Sequence, residues 1–274
     1  MRAGNRLAAV SCLVAGILVV GLSLCSLARA QGREPVRFRQ HLPMYIATDY
    51  SSSESWDQAN APYLKAQASM AASVLRAPVV IGGVSLDPYL AFTWRAVNWP
   101  VGAESSPINE NNYLPEAFVR VNEDATGLFR GGRVGWLHNS SGTDSASASI
   151  DRVLLESKFA YEVPFNGKTL YLTGYVRGWY VLSTGMGTDG IKEFIDFSLW
   201  EDAGGELMAI AEIPGAIRVV VNLGLSYQDY EVYIPLAEAY DISLFGQMHA
   251  GQANGIVNYA DDAVSGGVGL ALVR

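Results

Sequence analysis

From about Pro62 onward, apolar and polar residues alternate with a period of two, and this regularity excludes most folds. Val153, Leu155, Phe159, Tyr161 and Val163 take one side of a segment whose other side carries Arg152, Glu156, Lys158 and Glu162. Ile217, Val219, Val221, Leu223, Leu225 and Tyr227 likewise oppose Arg218, Asn222, Gly224 and Ser226, and Val268, Leu270 and Leu272 oppose Gly267, Gly269 and Ala271. Successive side chains of a strand point to opposite faces, so each segment predicts a strand with one oily face and one polar or small face. Eleven such segments are legible: 62–75, 84–97, 113–122, 127–140, 151–163, 168–182, 190–201, 206–213, 216–227, 230–247 and 264–273. Asn166-Gly167, Ala203-Gly204-Gly205 and Pro214-Gly215 read as tight turns between neighbours, which predicts up-and-down antiparallel connectivity.

Two architectures accommodate many half-apolar strands. A soluble sandwich or barrel buries the oily faces inside, whereas a transmembrane barrel turns them to lipid and keeps charge in its lumen. Strand length decides between them. Strands in globular proteins run to ~5–6 residues, a bilayer crossing needs ~9–11, and most of these segments reach the longer value. Past the first thirty residues there is no uninterrupted apolar run of the ~18 residues that a membrane helix requires. The expectation is an all-β chain forming a transmembrane antiparallel up-and-down β-barrel over 62–274. Bacterial single-chain barrels have an even strand number, so about twelve strands are expected, the missing one lying before Pro62 or inside a merged segment. Arg152, Glu156, Lys158, Arg177 and Arg218 then become lumen charges forming ion pairs, and Trp94, Trp99, Trp179 and Tyr180 become anchors at the membrane interface.

The N-terminus fits export. Arg2 and Arg6 precede an apolar run from Leu7 to Leu27, and Ala28-Arg29-Ala30 follows, as in a signal peptide spanning 1–30; an uncleaved anchor is the alternative. Both cysteines, Cys12 and Cys25, fall in this stretch, so the mature chain has no disulfide or thiol nucleophile. Residues 31–61 are more polar and read as an N-terminal periplasmic segment. A net charge of -8 without any basic run excludes an electrostatic nucleic-acid binder. The location implied is the bacterial cell outer membrane.

One polar cluster breaks the oily side. In the strand 127–140, Val134, Trp136, His138 and Ser140 share a face, and that face is the lipid-facing one. A compact polar loop, Ser141 to Ile150, returns the chain as strand 151–163 and brings Asp151 beside His138 on the same outer wall. Serine, histidine and carboxylate are the parts of a hydrolase triad, recognised by roles rather than by chain order. Pairing also lowers the cost of holding such groups at the membrane edge. The other two histidines, His41 and His249, read as loop or rim residues.

"HNSSGTDSASASIDR", residues 138–152, resembles the active-site segment of the outer-membrane phospholipase A family, in which H-x-S-N-G is followed by a Ser-rich loop and then N-R. "FTWRAVNW" at 92–99, "ESSPINENNYLPEAF" at 104–118, "VRGWYVL" at 176–182 and "GIVNYADDAVSGGVGL" at 255–270 support the resemblance in order along the chain. It implies a twelve-stranded barrel with calcium-dependent serine esterase activity on membrane glycerophospholipids, including lysophospholipids, switched on by homodimerisation. Carried over by position, Ser140 is the nucleophile, His138 the base, and Asp151 stands where the family has Asn. The resemblance further implies Ca2+ bound by the Ser147 side chain and the Thr143 carbonyl, with the Ser105 carbonyl contributed from the partner subunit. Ser141 replaces the family's Asn, and the loop is one residue shorter. A passive porin-like channel, whose lumen charges select solutes, is the alternative from another functional class.

Overall fold

The computed structural model describes residues 37–51, 62–98, 110–122, 127–141, 148–186, 203–225, 227–237, 241–252 and 262–273. They form fourteen strands: β1 (Phe38–Arg39), β2 (Met44–Ser51), β3 (Pro62–Ser73), β4 (Val79–Ile81), β5 (Val84–Asn98), β6 (Glu110–Val121), β7 (Phe129–Ser141), β8 (Ala148–Phe165), β9 (Lys168–Met186), β10 (Ala203–Ile213), β11 (Ile217–Gly224), β12 (Tyr227–Ala237), β13 (Ile242–Gln252) and β14 (Asp262–Leu272). Twelve of them close a ring. Each pairs antiparallel with its neighbour from β5 round to β14, β14 pairs with β2, β2 with β3, and β3 with β5. The short β1 and β4 are not members of the ring and pair with the free lengths of β3 and β5.

The strand missing from the sequence reading is β2, so the barrel begins at Met44 rather than Pro62. The single expected strand 230–247 is two strands, β12 and β13, because the chain reverses between Ala237 and Ile242. The expected strand 190–201 lies outside the described residues, and the ring closes without it because β9 pairs directly with β10. Ala203-Gly204-Gly205 is not a turn: these residues open β10, opposite Tyr180, Trp179 and Gly178. A side chain at position 204 would run into the Trp179 ring, so glycine here serves packing rather than reversal. The other two turns stand as expected. Asn166 and Gly167 have φ of 48° and 74°, the pair of positive values that a two-residue hairpin favours, and Pro214–Ala216 closes β10 onto β11. The signal peptide assigned to 1–30 lies outside the described residues.

Faces follow the period of two. On β8, Val153 and Leu155 are 39% and 64% exposed, while Leu154 between them and Ile150 and Glu156 of the same parity as Leu154 are buried. Exposed Ile46, Leu90, Val134, Val176, Leu207, Ile234, Val268 and Leu270 continue this apolar wall around the outside. Apolar-out, polar-in is the pattern of a membrane barrel, since lipid asks nothing of a side chain except that it be greasy. The seam between β14 and β2 is tight. A Cβ at Gly269 would come within 2.0 Å of the Ile46 carbonyl oxygen and 2.5 Å of the Ala47 Cα.

The lumen is filled with matched charge. Arg133 lies 3.2 Å from Glu116 and 3.1 Å from Glu156, and Arg177 lies 2.6 Å from Glu156 and also pairs with Glu206. Carboxylate and guanidinium thus alternate from β6 to β10, each charge compensated by its neighbours, which is the condition for burying charge at all. Nearer the other end the lumen carries aromatic stacks, Tyr45 on Phe245 at 4.7 Å and Tyr89 on Phe118 at 5.5 Å.

The two ends of the barrel differ. Turns 166–167 and 214–216 are short, whereas connections 52–61, 99–109, 187–202 and 253–261 at the opposite end are long. Outer-membrane barrels have short periplasmic turns and long extracellular loops, so the second set marks the outer end. The β8–β9 hairpin is the longest element pair, with 18 and 19 residues.

Candidate active site

His138 and Asp151 are direct cross-strand partners on β7 and β8. His138 Nδ1 lies 2.9 Å from Asp151 Oδ1. The pair is on the outside of the barrel. Trp136 and Val153, the next residues on the same faces, are opposite each other and both 39% exposed, while Arg133 and Ser141, of opposite parity on β7, are buried inside. Both side chains of the pair are 27% exposed, enough to meet a ligand without being fully hydrated. The Trp136 ring stacks on the imidazole at 5.9 Å between centroids, fixing its tilt.

Ser140 lies two residues further along β7 on this face, between Tyr113 on β6 and Ser149 on β8. Side chains at i and i+2 start ~6–7 Å apart, within reach of a shared proton. Among the described residues the Ser140 hydroxyl makes no hydrogen bond to His138. Without substrate, catalytic hydrogen bonds are commonly long. The three residues are therefore brought onto one outer patch, with the His–Asp contact made and the Ser–His contact open. This patch lies near the ends of β7 and β8 that lead into residues 142–147, the outer end of the barrel.

The neighbouring backbone is irregular in two places. Tyr113 pairs with Ser140 and Glu116 with Leu137, but the ladder lapses between them, where Pro115 has no N–H to give. On the other side, Asp151 pairs with Ser183 and Arg152 with Val181, so Leu182 is an extra residue bulged out of β9. Bulges recur beside active sites because they re-aim a side chain. The proline was the available signal. The bulge had none, since strand periodicity does not mark a single inserted residue.

The expected calcium ligands Ser105, Thr143 and Ser147 lie outside the described residues, and among those described no group of three or more His, Cys, Asp or Glu side chains is placed to hold a metal ion. Several further expectations are corrected. Trp179 faces the lumen, where the Arg152 guanidinium sits 5.5 Å from its ring; only Tyr180 of that adjacent pair is outside, because neighbours on a strand cannot share a face. Nothing contradicts Trp94 as an anchor: it lies on the outer face beside buried Thr93 and its indole N–H donates to Asn111 at 3.1 Å, while Trp99 lies outside the described residues. His41 lies in the loop between β1 and β2 and His249 three residues from the outer end of β13, as expected, but both rings are paired inside the barrel. His41 is buried against Glu116 at 2.8 Å, and His249 on β13 is held 2.6 Å from Asp229. Tyr227 points inward from β12 to bond Glu206, rather than outward with Leu225.

No protein-family model and no curated protein sequence matches the chain. Solved structures do. The outer membrane phospholipase A from Escherichia coli is 19% identical, with a TM-score of 0.65 over 86% of this chain and 94% of that one. The Salmonella typhi outer membrane phospholipase, solved as a dimer with bound calcium, is 19% identical, with a TM-score of 0.64 over 87% and 93%. An active-site mutant of the Escherichia coli protein, with an asparagine changed to alanine, gives 19% identity and 0.65 over 88% and 93%. A closed ring of twelve strands, greasy outside and charged within, with this likeness over nearly its whole length, is the bacterial outer-membrane fold of the phospholipase A barrels.

Proposed function

We propose that the chain is an outer-membrane phospholipase that cuts acyl esters of glycerophospholipids on the outside of its barrel. The observation that carries this reading is the contact between His138 Nδ1 and Asp151 Oδ1 at 2.9 Å on a lipid-facing wall, with Ser140 two residues away on the same face. Nothing in lipid requires a buried-style polar trio there, and isolated groups of this kind cost a few kcal/mol each. An ester bond at the lipid interface gives the trio a task.

The roles follow from the geometry. With Nδ1 committed to Asp151, Nε2 is the ring nitrogen left to accept the Ser140 proton as the hydroxyl oxygen attacks the ester carbonyl carbon. Collapse of the tetrahedral intermediate expels the lipid alcohol, which takes its proton back from His138. Water then enters by the same base and releases the fatty acid. Asp151 holds the tautomer throughout and stabilises the imidazolium as it forms. By the resemblance of residues 138–152 it stands where the family has asparagine, and the Escherichia coli protein has an active-site mutant in which an asparagine is changed to alanine.

Calcium fits the residues assigned to it: the hydroxyl of Ser147 and the carbonyls of Thr143 and Ser105 are hard oxygen donors. When bound, the ion would supply positive charge near the oxyanion of the intermediate. The loop 142–147 that would hold it begins two residues after Ser140. The Salmonella typhi structure, a calcium-bound dimer, supports both calcium dependence and activation by a second copy.

The test is fatty-acid release from detergent-dispersed phospholipid. Purified protein should release fatty acid with calcium, lose that activity on chelation, and lose it with Ser140→Ala. Equal rates for wild type and Ser140→Ala would end the proposal.

A further inference from the structure

Among the described residues the lumen holds an elongated space of about 400 Å3, lined by residues from near the outer strand ends to near the inner ones. At its outer part it is lined by Asn112, His249 and Ser265, each within three residues of an outer strand end. Toward its inner part it is lined on one side by the segment before β2, His41, Leu42 and Pro43, and on the other by Arg120, Arg130 and Arg218, each one residue from an inner strand end. Glu156, Arg177 and Glu231 line the middle, so the space is charged, suited to water and ions rather than to lipid.

The segment 37–43 is gripped along its whole length. Its backbone is docked onto β3: the Ser73 N–H donates to the Arg37 carbonyl at 3.1 Å, the Leu42 N–H to Ser69 Oγ at 3.2 Å, and Gln67 Nε2 to the Pro43 carbonyl at 2.7 Å. Its alternate side chains reach inner-wall groups on β5 and β6. Arg37 pairs with Asp87 at 3.1 Å, Arg39 bonds Tyr89 and lies 4.3 Å from that ring's centroid, and His41 meets Glu116 at 2.8 Å while stacking on Phe118 at 5.3 Å. Arg37, Arg39 and His41 are spaced by two, so all three project the same way from an extended chain. A basic arm is thus threaded into an inner mouth that presents two carboxylates and a phenol.

We infer that residues 37–43 are a stopper in the periplasmic mouth, and that this barrel has a second, latent activity: conducting small hydrated ions through its lumen once the arm lets go. The two activities are physically separate. Ester chemistry belongs to the outer wall at β7 and β8, whereas conduction belongs to the interior and is governed by the side chains at 37, 39 and 41.

The test is current through the folded protein in a planar lipid bilayer, bathed in potassium chloride. Wild type should be silent. Arg37→Ala, Arg39→Ala and His41→Ala combined should give discrete current steps, with folding checked by heat-modifiable gel mobility; if the triple variant does not fold, Arg37→Ala with Arg39→Ala, which keeps the Glu116 contact, carries the same expectation. Adding Phe38→Cys and Ala72→Cys, cross-strand partners of β1 and β3, supplies a reversible tether. Oxidation should suppress the steps and reduction restore them. A folded but silent variant, steps indifferent to the tether, or free conduction by wild type would each overturn the inference.

Discussion

Asp151 Oδ1 stands 2.9 Å from His138 Nδ1 directly across the β7–β8 ladder, so the register of two strands sets the tautomer of the ring. What this position needs is an oxygen that accepts the ring N–H. Asp151→Asn keeps such an oxygen and Asp151→Ala does not. The expected order of phospholipid hydrolysis is wild type, then Asp151→Asn, then Asp151→Ala, the last reduced on the order of 10²-fold. Initial rates of fatty-acid release at saturating calcium measure it. Equal loss in both variants would mean that the carboxylate charge, not its oxygen, is required.

Ser140→Ala should remove about 10³-fold or more of the activity, because no other hydroxyl lies two residues from His138 on that face among the described residues. A fluorophosphonate probe followed by mass spectrometry should place its adduct on Ser140. An adduct elsewhere would reassign the nucleophile.

Trp136 carries the imidazole on its ring face at 5.9 Å. Trp136→Ala should slow hydrolysis several-fold while leaving the heat-modifiable gel shift intact, and Trp136→Phe should recover most of the loss. Full activity in the alanine variant would show that Asp151 alone fixes the ring.

Two neighbours on β8 test the inside-out faces. Leu155→Arg puts charge against lipid at a residue 64% exposed, and should cost ~2–4 kcal/mol if it lies near the bilayer midplane. Glu156→Gln removes the carboxylate shared by Arg133 and Arg177, each of which retains one other acid, so a smaller loss of ~1–3 kcal/mol is expected. Urea unfolding in lipid vesicles gives both values. A neutral Leu155→Arg would place that face away from lipid.

Gly269→Ala places a Cβ 2.0 Å from the Ile46 carbonyl oxygen, where only backbone movement relieves the clash. The β14–β2 seam should then close poorly, read as a reduced heat-modifiable fraction after refolding. Unchanged folding would mean the seam is looser than its contacts imply.

The architecture was legible because lipid imposes a simple rule, and alternation such as that from Arg152 to Val163, broken only by residues such as Leu154 and Ser157, survives in the sequence. The outer-wall cluster was legible for a related reason: His138, Ser140 and Asp151 are polar residues on faces that the rule says should be apolar. What stayed hidden depends on partners distant in sequence. β2 spans only 8 residues and is fixed by pairing with β14, more than two hundred positions away. Trp179 and Tyr180 both look like interface anchors until a register exists to choose one. His41 reads as loop because its role is set by Glu116 and Phe118, which nothing nearby in the chain announces.

The 18- and 19-residue strands β8 and β9 far exceed the ~9–11 residues that a crossing uses, and β7 stops opposite Phe159 while β10 stops opposite Tyr171. The tip around Asn166 and Gly167 is therefore a cantilever standing clear of the wall on the cell-interior side, with Tyr161 and Phe165 bare upon it. A protease or an antibody supplied from outside an intact cell would have no access to this lever, although it is among the most prominent projections of the molecule.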